Sequence, residues 1–133
     1  MKTLGIAYAG TLISFLLVDA LWLGLVARSF YQRQIGDLML PNPYLGVAAV
    51  FYVFFAAAIV VLAVRPGLEA SSLWTAVGFG AVLGLAAYGT YDMTNLSTLK
   101  GWPVSLSVVD MVWGTVLTGL ASACGYAAAR LFG

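Results

Sequence analysis

The chain has 133 residues, of which 62% are hydrophobic and only 8% charged. A soluble domain carries roughly 25% charged residues, so this composition excludes an ordinary water-soluble globule and points to an integral membrane protein. A net charge of +1 argues against nucleic acid as a partner, and the absence of histidine removes His-ligated haem, zinc and copper together with His-based acid–base chemistry.

Four apolar runs are long enough to cross a bilayer, which takes roughly 20 helical residues each. They lie at about 4–27, 45–64, 72–96 and 104–131. The predicted fold is an all-α integral membrane four-helix bundle, one unit with short connections and the lipid bilayer as its implied partner. An even number of spans puts both termini on one face. Lys2, Arg65 and Arg130 fall on that face and Arg28, Arg33 and Lys100 on the other, a tie on the rule that sets orientation. The short N-terminal segment bearing Lys2 favours the cytoplasm.

The first run reads as a retained span rather than a secretory signal, because it is longer than an ordinary signal core and carries Asp19. Within it, Tyr8, Leu12, Phe15, Asp19 and Trp22 share one helical face. The link from Arg28 to Tyr44 places Phe30, Tyr31, Ile35, Leu38 and Met39 at near-helical spacing among polar residues, predicting a short amphipathic helix along the membrane surface. Pro41-Asn42-Pro43 ends it. The second run carries Phe51, Tyr52, Phe54 and Phe55 around its girth, as suits a wide lipid-facing surface. Arg65-Pro66-Gly67 then reads as a tight turn.

Gly80 and Gly84 form a G-x-x-x-G pair in the third run. The fourth has a stripe of small or polar residues: Ser107, Asp110, Gly114, Thr118, Ala121 and Gly125. Such faces let helix backbones approach closely in lipid, either within the chain or at the seam of a homodimer or larger membrane complex. The lone Cys124 lies in the same small-residue context and excludes an internal disulfide. Lys100-Gly101-Trp102-Pro103 joins the two runs as a turn, with Trp102 expected at headgroup depth.

Three of the five acidic residues, Asp19, Asp92 and Asp110, lie inside the apolar runs with no Lys or Arg beside them. A carboxylate at membrane depth is costly and marks a functional site by default. Asp19 lies roughly 12 Å below the end of the first run and Asp110 roughly 10 Å below the start of the fourth, at 1.5 Å per residue. Asp92 falls near the end of the third run, so all three acids share one leaflet. The candidate site adds Trp22 and Trp113, each three residues after an acid, with Tyr88, Tyr91 and Asn95 around Asp92, Ser107 beside Asp110, and Lys100 near the surface. Either the acids fasten helices together through hydrogen bonds, or the cluster exchanges a proton or binds a cation, with aromatic faces available to it.

The run Tyr91-Asp92-Met93-Thr94-Asn95-Leu96-Ser97-Thr98-Leu99-Lys100-Gly101-Trp102-Pro103, the segment Asp110-Met111-Val112-Trp113-Gly114-Thr115 and Val18-Asp19-Ala20-Leu21-Trp22 together resemble the bacterial membrane proteins catalogued as domain of unknown function 2177. The resemblance covers essentially the whole chain. It implies a small four-span inner-membrane protein and brings no catalytic residues with it.

Three function classes follow from the residues. The first is a small carrier that binds or transports a proton, a cation or a small cationic or polar solute. The second is an accessory or structural subunit of a larger membrane complex. The third, a membrane-embedded enzyme acting on a lipid, ranks last because no nucleophile–base pair is visible. No cofactor and no metal site is implied.

Overall fold

An apolar segment in lipid must satisfy every backbone N–H and C=O internally, so each of the four runs winds into a helix. The structure is a computed structural model that describes residues 2–133. Among the described residues, four helices are long and apolar enough to cross a membrane: Lys2–Leu25, Leu45–Glu69, Leu73–Thr98 and Val104–Phe132. No strand forms among them, and the fold is the all-α helical bundle expected.

Helix α1 (Lys2–Leu21) passes into a π turn, Trp22–Ala27, and then into α2 (Arg28–Ile35). The flanking Leu21 and Arg28 keep right-handed helical angles, so these three pieces form one rod. The short helix expected in the connection is therefore the continuation of the first span rather than a separate element. A 3₁₀ turn, Gly36–Leu38, ends it.

The second rod joins α3 (Leu45–Ile59), a π turn at Val60–Val64 and α4 (Arg65–Glu69). Arg65-Pro66-Gly67, expected as a tight turn, is instead helical. Proline removes a backbone donor and crowds the carbonyl four residues earlier, and the widened π turn just before it accommodates that loss. Gly67 is there for contact: a Cβ on it would come within 2.6 Å of the Ala76 Cβ. The chain reverses later, where Ser71 takes a positive φ of 51°. Ser72 then caps α5 (Leu73–Thr98), its hydroxyl accepting the Thr75 N–H at 3.2 Å.

Between α5 and α6 (Val104–Phe132), Gly101 supplies the left-handed conformation, φ 73°, that a side chain would strain. Trp102, expected at headgroup depth, turns inward and is 8% exposed. Its indole N–H donates to Ser107 Oγ at 2.9 Å, and the Ser107 hydroxyl donates to the Asp92 carbonyl oxygen at 3.1 Å. The turn is thus fastened to both helices.

Helix α6 lies between α5 and α1. A Cβ on Gly84 would collide with the Gly114 carbonyl oxygen and with Thr118, and one on Gly80 with Ser122. On its other flank, a Cβ on Gly125 would strike Thr11 of α1. The G-x-x-x-G face is therefore occupied by α6 of the same chain. Phe15, Ile59, Val64 and Leu117 fill the core between the helices.

Because the atom facing Gly84 is backbone, nothing can swing aside. Gly84→Val is expected to destabilise the bundle by about 1–3 kcal/mol, the usual cost of overpacking. Gly78→Ala, where nothing lies within 4 Å of the new methyl, should instead gain up to about 1 kcal/mol from helix propensity. Detergent unfolding followed by circular dichroism measures both.

Candidate functional site

Helices α1, α5 and α6 carry their acids toward the end of the bundle closed by α2 and the α5–α6 turn. Asp19, Asp92 and Asp110 are 7%, 0% and 9% exposed. Their surroundings differ.

Asp19 has a neutral donor on each of its carboxyl oxygens. Trp113 Nε1 donates to Oδ1 at 3.1 Å, and the Tyr52 hydroxyl donates to Oδ2 at 3.0 Å. The Tyr52 ring is held in turn against Phe15, centroids 5.5 Å apart. Asp110 receives the Tyr31 hydroxyl at 2.7 Å, and Tyr31 accepts the Trp22 indole N–H at 3.5 Å. The repeated Asp-x-x-Trp spacing thus works crosswise. Trp113, three residues after Asp110, serves Asp19; Trp22, three residues after Asp19, serves Asp110 through Tyr31. The two indoles stack between them, centroids 4.4 Å apart and 11° from parallel.

Asp92 has no such partners. It is wholly buried, and neither carboxyl oxygen meets a hydrogen-bond donor. Its carboxyl lies within hydrogen-bonding reach of that of Asp110. Two carboxyl groups so placed can bond to each other only when one of them carries a proton. Tyr88 completes the wall, its ring seated where a Cβ on Gly114 would be. Among the described residues, no three His, Cys, Asp or Glu side chains gather closely enough to hold one metal ion. A chain of contacts links the acids: Asp19 to Trp113, Trp113 stacked on Trp22, Trp22 through Tyr31 to Asp110, and Asp110 beside Asp92.

Of the other residues singled out from the sequence, Ser107 acts on the backbone of Asp92 rather than on its carboxyl. Tyr91 is 53% exposed and sits edge-on to Trp102 at 5.7 Å. The Asn95 side chain makes no hydrogen bond among the described residues; it is the backbone carbonyl oxygen of Asn95 that accepts the Leu99 N–H. Lys100 is exposed and forms no ion pair with the acids among the described residues; it borders a separate surface cleft.

Two site residues escaped the sequence reading. Tyr52 reads as one more bulky group on a lipid-facing helix, and only its hydroxyl hints otherwise. Tyr31 is hidden by helical geometry. At roughly 100° per residue, positions nine apart on an unbroken α-helix face opposite ways. The π turn advances by only about 80° per residue, which swings Tyr31 back toward the face of Trp22.

Burial pushes the Tyr31 phenol above its ordinary value of 10.0; the Trp22 N–H opposes the rise and the Asp110 carboxylate adds to it. A group so raised stabilises the fold fully below its unfolded value and loses that contribution as pH rises past it. The difference in absorbance between wild type and Tyr31→Phe should accordingly show no phenolate at pH 10 in the folded protein, and phenolate once it is denatured. Trp113→Phe and Tyr52→Phe each remove a donor from Asp19 and should cost about 0.6–2 kcal/mol in detergent unfolding. Each cost should shrink in an Asp19→Asn background.

No curated protein and no solved structure matches this chain. A family model described as "Predicted membrane protein", domain of unknown function 2177, matches residues 4–127. With nearly its whole length matched, the chain belongs to that family of membrane proteins.

Proposed function

We propose that the Asp92–Asp110 pair is a proton-exchanging site, and that the protein couples that proton to binding or passage of a small cation or polar solute through a bacterial cytoplasmic membrane, with both termini on one face. One observation carries this reading: Asp92 is fully buried, and neither of its oxygens has a donor. Two facing carboxyls at membrane depth hold together only with a proton or a cation between them, since two adjacent bare charges repel in a poorly screened medium. Among the described residues no third acidic ligand stands at the pair, which favours the proton over a multivalent metal. Tyr31, on the continuation of α1, offers Asp110 a hydroxyl through which the pair can communicate with the bundle end.

A second reading, an accessory subunit of a larger membrane complex, draws on a different feature. A groove of about 700 Å³ between α1 and α3, lined by Tyr8, Ala49, Val50, Val53, Phe54 and Ala57, is almost wholly apolar. That reading requires partners to co-purify, and a stable lone particle tells against it.

The proton reading is tested by infrared titration of the reconstituted chain and by flux into vesicles holding a pH-sensitive dye. Wild type should display a protonated-carboxyl C=O band that disappears in Asp92→Asn or Asp110→Asn and persists in Asp19→Asn. Proton flux under an imposed gradient should fall at least tenfold in the first two variants. A band unchanged in Asp92→Asn, or flux equal to that of empty vesicles, overturns it.

A further inference from the structure

Two cations near the site take no part in it. Arg33, in the last turn of α2, and Lys100, in the turn between α5 and α6, line one cleft of about 330 Å³ at the end of the bundle, together with Gln32, Gln34, Asp37 and Leu38. Among the described residues the ion pair present is Arg65–Glu69, so both cations lack a carboxylate partner. We infer that this cleft binds the phosphodiester headgroup of a membrane phospholipid.

The chemistry of the lining supports that ligand class. A guanidinium and an ammonium reaching one cleft from two different connections repel each other until an anion lies between them, and phosphoryl oxygens accept charge-assisted bonds from both. The Ser105 hydroxyl donates to Gln34 Oε1 at 3.2 Å, which engages the amide oxygen and leaves its –NH₂ as a further donor. Asp37 disfavours the dianion of free phosphate and suits a singly charged phosphodiester, above all one that carries an amine. The location suits a lipid as well. Lys100 follows the end of the third span at Thr98 by two residues, and Leu38, Met39 and Leu40 beside the cleft are 66%, 40% and 50% exposed, an apolar edge for the acyl chains. Arg33 stands two residues past Tyr31, so a headgroup held by Arg33 and Lys100 ties α2 to the α5–α6 turn and keeps Tyr31 over Asp110.

The test uses the full chain in detergent. Native mass spectrometry and thermal shift compare three probes: a short-chain phosphatidylethanolamine, a diacylglycerol of the same chains, and inorganic phosphate. The phospholipid should bind and raise the melting temperature, and Arg33→Gln or Lys100→Gln should each weaken binding about tenfold. Both side chains are exposed, so unchanged circular dichroism verifies that the variants fold. Equal binding of diacylglycerol would reduce the site to apolar contact, equal binding of inorganic phosphate would make the ligand a free anion, and unaltered affinity in both variants would remove the cleft; each result overturns the proposal. Asp92→Asn should bind the phospholipid like wild type, which separates this proposal from the proton reading.

Discussion

A carboxyl group sealed from water must find hydrogen-bond donors, a proton or a cation within the protein, and that requirement organises one end of this bundle. Asp19 meets it by recruiting an indole from α6 and a phenol from α3. Asp110 meets half of it with a phenol brought from beyond the end of α1. Each bond joins residues far apart in sequence, so Asp19 and Asp110 receive their donors only when the first, second and fourth spans are assembled. In lipid, where apolar burial does little to hold helices together, such bonds and close backbone packing carry the association.

Close packing comes first in this hierarchy, because it sets the distances. Gly80 and Gly84 on α5 and Gly114 on α6 let the two backbones approach until Tyr88 lies across Gly114. That approach brings Asp92 and Asp110 within reach of each other. The Trp102–Ser107 bond, continued to the Asp92 carbonyl, locks the register at the turn. A slip of one helical position would part the carboxyls. The small-residue stripe is therefore part of the site, although none of its glycines touches a carboxylate.

The four spans were legible because lipid imposes a coarse rule: a long apolar run becomes a helix. The acids were legible for the same reason in reverse, as exceptions within those runs. What escaped followed from departures from ideal helical geometry. Pro66 and Gly67 resemble a turn in any local reading, and only the preceding π turn and the contact with Ala76 explain why the helix continues. Tyr31 falls on the wrong face by α-helical arithmetic, and the first π turn corrects it. Depth along a helix was readable from residue counts; azimuth beyond a π turn was not. Hence the acids were expected at one level, whereas their crosswise pairing with Trp22 and Trp113 could not be read. Lys100 illustrates another limit: sequence neighbours of an acid at a helix end point outward as readily as inward.

Read from the sequence, the choice lay between acids that fasten helices and acids that work. The structure gives reason to divide that choice by residue. Asp19, with both oxygens bonded to neutral donors from two other helices, has the environment of a fastener. Asp92, wholly buried and without a donor from any other side chain, has only the Asp110 carboxyl to turn to. On the proposed reading, that vacant bonding capacity is used intermittently, by a proton that comes and goes. Asp110 stands between the two, one oxygen tied to Tyr31 and its carboxyl turned to Asp92, and on the same proposal it receives the proton that leaves the buried acid.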